Sequence, residues 1–299
     1  MIDHQAGIFR EGTAHHIFLE FSVLSRPASL PGRALAEAPV ASGEQVIGFG
    51  RDLMTGLRSP ESSPPPALAG FATVEGRDKS APASQRDLFI WLHGEARDEL
   101  FARALAWRDT LSGVAHLATE EHGFRFRDSR DLTGFVDGSA NPKDDARLSA
   151  ALVPAGPHAG GSFIFAQRWI HDLAGFGALP VADQEGVIGR TKADSIELTG
   201  DAMPPDSHVS RTDIKRNGEA VKIYRRSSPV GGVADAGLYF LAFSADPDRF
   251  RWLLESMYGL SGDGLNDRLL GHSQPVTGSF FYAPPPSALL AAFGDEAAP

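Results

Sequence analysis

Apolar residues along the chain cluster in short runs rich in aromatic and β-branched side chains, each bounded by turn formers, and such runs predict strands. The clearest are His16–Leu24, Leu88–Leu92, Gly123–Arg127, Ser162–Trp169, Val221–Arg225, Leu238–Phe243 and Ser279–Tyr282. Two stretches change period. Leu100, Ala104, Trp107 and Leu111 recur at helical spacing after Glu95, and Phe250, Leu253, Leu254 and Met257 do so after Asp246. Each predicts an amphipathic helix that follows directly on an apolar strand.

The spacing of these elements repeats. Leu88 and Leu238 lie 150 residues apart, Glu95 and Asp246 151, Phe18 and Phe165 147, and Phe124 and Phe280 156. The repeated order is strand, helical or irregular stretch, strand pair, long helix and final strand, which builds an antiparallel sheet with helices packed on one face. We therefore expect an α+β chain of two ferredoxin-like halves with antiparallel sheets and peripheral helices. The halves are residues 1–135 and 136–299, and they join in the Gly-, Pro- and Asp-rich stretch Asp128–Gly161.

Composition narrows the chemistry. The 299 residues carry 28 Lys and Arg against 38 Asp and Glu, a net charge of −10, and no cysteine. Disulfides, thiolate metal sites, a thiol nucleophile and covalent c-type haem attachment are all excluded. The acidic balance, with no long basic run, argues against nucleic acid and for small-molecule partners. No window approaches about 18 consecutive apolar residues, and the first residues lack a basic segment followed by an apolar one. The expectation is a cytoplasmic protein without membrane contact, with Arg58–Pro66 as a proline-rich surface loop.

Three stretches carry candidate chemistry. In Gly134–Pro142 (GFVDGSANP), flanking glycines let a turn aim the Asp137 carboxylate into a cleft, although Asp-Gly and Asn-Pro are also ordinary turns. In Ser207–Arg211, a lone His208 sits where irregular structure gives way to an extended segment. No histidine pair has zinc spacing, but one axial imidazole is all a haem iron requires. In Tyr224–Pro229, strand alternation puts Ile223, Arg225 and Ser227 on one face and Tyr224 and Arg226 on the other. One arginine must then face the covered side of the sheet, where a charge needs a partner.

Taken in order, Gly134–Pro142, Trp169–Leu173, Ile188–Lys192, Ser207–Arg211, Tyr224–Pro229 and Val276–Gly278 resemble the dye-decolorizing peroxidases, and the compact length resembles their bacterial B-type subgroup. The resemblance implies one non-covalent haem b per chain, held in the C-terminal half near the cleft between halves. It implies reduction of hydrogen peroxide through compound I, oxidation of dyes, phenolics or other small-molecule electron donors, and a homo-oligomer. By motif position His208 is the proximal iron ligand and Asp267 the carboxylate behind it. Asp137 and Arg225 form the distal pair, and Gly138 and Ser227 beside them are expected, with His208 and Asp267, among the cofactor-binding residues. Ser227 stands where some B-type members have Asn. An aspartate as the acid–base group implies activity favouring acidic pH.

Two other readings stand beside this one. A haem-storage, delivery or iron-release protein needs His208 but neither Asp137 nor Arg225, whereas chlorite dismutase-like chemistry does not account for the GxxDG segment. Large donors can be oxidised at a surface Trp or Tyr, but Trp91, Trp107, Trp169, Trp252, Tyr224, Tyr239, Tyr258 and Tyr282 mostly fall at core-facing positions. The final residues, Phe293–Pro299, show no apolar docking peptide, so no encapsulation is expected.

Overall fold

A computed structural model describes residues 3–37, 42–58 and 63–294. Part of the loop expected over Arg58–Pro66, and the last residues 295–299, lie outside the described residues. Eight strands dominate: β1 (His15–Val23), β2 (Gln45–Phe49), β3 (Leu88–Gly94), β4 (Ala115–Phe124), β5 (Ser162–His171), β6 (Tyr224–Arg225 and Ser228–Val230), β7 (Gly237–Ser244) and β8 (Ser279–Ala283). The two pieces of β6 keep one register against β7, so they form a single interrupted strand. Helix α1 (Arg97–Leu111) follows β3, α2 (His208–Thr212) precedes β6, and α3 (Asp248–Met257) follows β7.

The repeat read from the offsets is visible in the strand order. In the first half the spatial order is β4-β1-β3-β2, and in the second it is β8-β5-β7-β6. Numbered within each half, both read 4-1-3-2 with every pairing antiparallel, the ferredoxin-like arrangement. The halves do not face each other across a cleft between separate sheets. β8 pairs with β2 through Tyr282↔Phe49, and β6 pairs with β4 through Val230↔Gly123, closing the eight strands into one barrel. Each seam rests on a single ladder pair. At the second seam only glycine fits, because a Cβ on Gly123 would lie 2.5 Å from Ser228 Oγ and 3.1 Å from His16 Cβ.

Alternation along the strands separates two cores. Phe18, Val46, Phe89 and Trp91 of the first half meet Ile164, Tyr239, Phe243 and Phe281 of the second inside the barrel, whose eight strands leave room for side chains and little else. Phe18 stacks on Tyr239 at 4.1 Å between ring centroids. The charged groups inside are paired, whereas His93 Nε2 is buried without a hydrogen-bond partner. Glu20, fully buried, accepts from Tyr239 Oη at 2.7 Å and Ser279 Oγ at 3.1 Å. Burial pushes its carboxyl up. Arg226 donates to the carbonyls of Ile8 and Arg10 and lies 4.9 Å over the Trp91 ring. Burial, and then the charge of Arg226, bring His16 down to about 3 and His93 to about 2, so both stay neutral at ordinary pH.

The outer core lies between sheet and helices. α1 buries Leu100, Ala104, Trp107 and Leu111, the residues that carried the helical period, and Trp107 Nε1 donates to Gln45 Oε1 at 2.9 Å. Truncating one of its buried leucines to alanine costs about 2–5 kcal/mol. On the other half, α3 turns Phe250, Leu253, Leu254 and Met257 toward the sheet.

Several boundaries differ from the sequence expectation. The strand expected over Gly123–Arg127 runs instead over Ala115–Phe124, and Gln45–Phe49 is a strand that no long apolar run announces. The segment at His208 does not enter extended structure but begins a helix, capped by Ser207 accepting from Ser210 N. Among the described residues no helix is long and apolar enough to cross a membrane.

Candidate active site

A cavity of about 310 Å3 lies between the outer face of the second-half sheet and helices α2 and α3, a size ordinary for a cofactor site. Phe165, Leu238 and Phe240 form its sheet wall, and Phe250, Leu253 and Leu254 its helical wall. The segment joining the halves supplies the rim through Asp131, Thr133, Phe135 and Asp137. The site therefore sits on the flank of the second-half sheet under this connecting segment, not in a gap between two domains.

His208 enters from the helical side. Its Nδ1 lies 2.7 Å from Asp267 Oδ2, and the Asp267 side chain is wholly buried. The other Asp267 oxygen accepts from Leu269 N at 2.9 Å, and Asp267 N donates to Met257 O at 2.8 Å. With Nδ1 donating to this carboxylate, the neutral tautomer of His208 leaves Nε2 as the acceptor nitrogen on the cavity side, the one that could ligate a metal.

Asp137 and Arg225 line the same cavity from the rim and the sheet. Arg225 Nη1 stands 3.9 Å from Asp137 Oδ1, beyond direct hydrogen-bond length, and each side chain is 25% exposed. Asp137 Oδ1 accepts from Gly138 N at 2.7 Å, and Gly138 takes φ +78° in this turn. Gly138 is not among the cavity-lining residues; it aims the carboxylate from behind. Ser227 does line the cavity, on the same face as Ile223 and Arg225, and its Oγ accepts from Leu241 N at 3.4 Å. Arg226 points the opposite way, into the barrel. Strand alternation thus sorts the two arginines as expected, but both faces are covered.

Other residues here were not singled out from the sequence. Asn141 donates from Nδ2 to Arg225 O at 2.7 Å and accepts at Oδ1 from Arg225 N at 3.0 Å, so its amide replaces a neighbouring strand at the arginine. It ties the Asp137 turn to the Arg225 strand, and its Asn-Pro dipeptide reads only as a turn. Along the rim, His171 joins Asp131 at 3.1 Å and Ser273 Oγ at 2.7 Å. Burial pushes the Asp131 carboxyl up, but hydrogen bonding and charge from His171, with both donors of Thr133, outweigh it and hold it below the usual range. Of the aromatic residues weighed as surface oxidation sites, all are buried except Trp252, which is partly exposed under Arg216.

Comparison with known proteins agrees with this geometry. A family model described as Dyp-type peroxidase, N-terminal, matches residues 32–125, and one described as Dyp-type peroxidase, C-terminal, matches residues 128–288. The chain belongs to the Dyp-type peroxidase family. A dye-decolorizing peroxidase from Rhodococcus erythropolis is 33% identical over 279 residues, 92% of this chain and 80% of that one. A dye-decolorizing protein from V. cholerae superposes with a TM-score of 0.87 at 34% identity, covering 96% of this chain and 98% of that one. A variant of DypB from Rhodococcus jostii in complex with heme gives 0.87 at 30% identity over 95% and 97% of the two chains. An encapsulated DyP-type peroxidase from Mycobacterium smegmatis gives 0.87 at 31% identity over 96% and 97%.

The residues of this Dyp-type peroxidase fit a haem. Apolar side chains wall both sides of the cavity, and one imidazole with a free Nε2 enters from the helices. A single imidazole is the one protein donor that a haem iron needs. The guanidinium and carboxylate opposite have no direct bond to each other and are open to a third, small polar molecule.

Proposed function

We propose that this chain is a haem b peroxidase with His208 as the axial ligand, Asp267 as its hydrogen-bond partner, and Asp137 and Arg225 as the groups that process hydrogen peroxide. The observation that carries this reading is one apolar cavity lined by His208 on its helical side, with Asp267 hydrogen-bonded behind the ring, and by the Asp137–Arg225 pair at its sheet and rim. Haem supplies the redox-active iron that takes up the oxidising equivalents of peroxide and passes them to electron donors.

The protein's own residues do the rest. The carboxylate of Asp137 is placed to take a proton from one peroxide oxygen and hand it to the other, while a bound haem would supply the two electrons for O–O cleavage and hold the oxygen that remains. The guanidinium of Arg225 stabilises the negative charge that grows on the departing oxygen. Asn141 holds the strand and the turn at the spacing these two tasks require. Asp267 accepts the Nδ1 proton of His208, fixes its tautomer and increases the basicity of the ring. Ser227 offers a hydroxyl beside Arg225, shorter than an amide. Gly138 supplies the backbone N–H that orients Asp137.

The haem-handling alternative uses His208 alone. Built distal partners at 3.9 Å, together with the family, favour turnover. We extend the proposal to a homo-oligomer, which the family supports, and to two halves of residues 1–135 and 136–299, which the repeated strand order supports. The test is to mix haem-loaded protein with one equivalent of hydrogen peroxide, follow the Soret band, and then add a phenolic donor. A rapid spectral change reversed by the donor is expected. A spectrum that peroxide leaves unaltered would overturn the proposal.

A further inference from the structure

His208 and Asp267 come from segments 59 residues apart, and two braces hold those segments together on either side of the pair. On one side is Arg211, three residues after His208 on α2 and only 5% exposed. Its Nε and Nη2 donate to Ser256 O at 2.9 and 2.8 Å, Nη1 donates to Asp263 Oδ2 at 2.6 Å, and Nη2 also reaches Ser261 Oγ at 2.8 Å. Each acceptor lies at the end of α3 or in the loop that leads to Asp267. That loop closes on itself through the Tyr258↔Asn266 bridge and the Asp267 N to Met257 O bond, so Arg211 fills its base. On the other side Asp206, two residues before His208, accepts at its carbonyl from Arg268 N at 2.9 Å, and its carboxylate lies 2.8 Å from Arg268 Nε.

A guanidinium is costly to bury, and a fold tolerates one where acceptors meet its donors. Arg211 does not line the cavity, and its side-chain hydrogen bonds go to Ser256, Ser261 and Asp263, not to the His208 ring. All its partners belong to the segment that carries the carboxylate behind that ring. We propose that Arg211 is a positioning residue that sets the His208–Asp267 hydrogen bond, with Asp206–Arg268 as the opposing brace. The inference rests on the reading of His208 as axial ligand. With Arg211 intact the loop places Asp267 Oδ2 against Nδ1–H. Without it the loop loosens, the acceptor retreats, and the imidazole gives less electron density to a metal at Nε2.

The test compares Arg211→Gln and Arg211→Lys with wild type, using Asp267→Asn as the limiting case. In the protein without haem, the Nδ1 proton of His208 is observed directly by NMR. Wild type is expected to show a low-field, slowly exchanging resonance that moves upfield and exchanges at least about tenfold faster in Arg211→Gln, with partial recovery in Arg211→Lys. In the haem-loaded protein, Arg211→Gln shifts the reduction potential in the same positive direction as Asp267→Asn, by less. An unchanged Nδ1 resonance and an unchanged potential in a folded Arg211→Gln protein overturn the proposal. If that variant does not fold, Asp263→Asn, which removes the half-exposed end of the same brace, carries the same two readouts. Retained haem binding in His208→Ala would instead remove the axial assignment while leaving the NMR result on Arg211 to stand.

Discussion

The Asp137 carboxylate stops 3.9 Å short of the Arg225 guanidinium, although both face the same cavity. A direct ion pair would satisfy each group with the other and leave neither to act on a third molecule. The separation is held from behind: Gly138 N fixes Asp137, and Asn141 grips the backbone of Arg225 on both edges.

Replacing Arg225 with alanine is expected to slow the reaction with peroxide by about 100- to 1,000-fold, the usual effect of removing one charge-stabilising donor. Replacing Asp137 with asparagine removes the proton carrier and is expected to slow it by about 100-fold or more. Stopped-flow spectroscopy of the haem-loaded variants measures both. An undiminished rate in Arg225→Ala is incompatible with the assignment.

Asn141→Ala loses two hydrogen bonds that together contribute about 2 kcal/mol. Asn141→Asp is expected to be worse, because a carboxylate cannot donate to Arg225 O. Peroxide turnover should fall in both, and more steeply in the aspartate variant, while haem content stays at wild-type level. Equal rates in wild type and Asn141→Asp would show that the amide does not hold the distal pair.

His16 and His93 make the fold sensitive to acid. Their folded pKa values, about 3 and about 2, lie below the ordinary 6.5. The unfolded chain therefore binds more protons than the native one across that window. The stability these histidines confer is complete above about pH 6.5 and is lost progressively as the pH falls toward those folded values, by several kcal/mol for each. Glu20 acts in the opposite sense. Its raised carboxyl favours the folded state at low pH and loses that contribution as the pH rises above the unfolded value of 4.5. With two histidines against one glutamate, denaturant melts are expected to show falling stability from pH 7 to pH 4 and a shallower fall in His93→Gln. The lower pH limit of the fold is thus set in the barrel interior.

Gly123→Ala is expected to cost about 1–3 kcal/mol, since the new methyl overlaps Ser228 Oγ. Thermal melting measures this. Combining it with Ser228→Gly should restore most of the loss, and no rescue would mean that the glycine serves another purpose.

Much of this was legible in the sequence because the signals were periodic or ordered. β1, β3, β5 and β7 announce themselves as apolar aromatic runs, and the offset near 150 residues exposed the two halves. β2 did not, because Gln45–Phe49 is five residues long with a glycine inside it. β4 is largely polar, since its outward positions are half exposed and Glu121 pairs with Arg168. The closure of the barrel left no trace, because each seam is one residue pair set by shape. The four central side chains were marked by ordered motifs. Asn141 and Arg211 fall inside two of those motifs, but their roles were not legible, because each works through the backbone or a loop remote in sequence.

The two seams also govern how the barrel can yield. Within each half the strands are joined by ladders up to nine residue pairs long, whereas the halves meet through Tyr282↔Phe49 and Val230↔Gly123. Opening the barrel like a book would part both pairs together with the Phe18–Tyr239 stack and the bonds that Tyr239 and Ser279 donate to Glu20, and would wet Trp91, Tyr239 and Arg226. Amide exchange would then show two stiff covers and two soft spines, and the spines, lying away from the catalytic cavity, could tolerate such breathing without disturbing the chemistry.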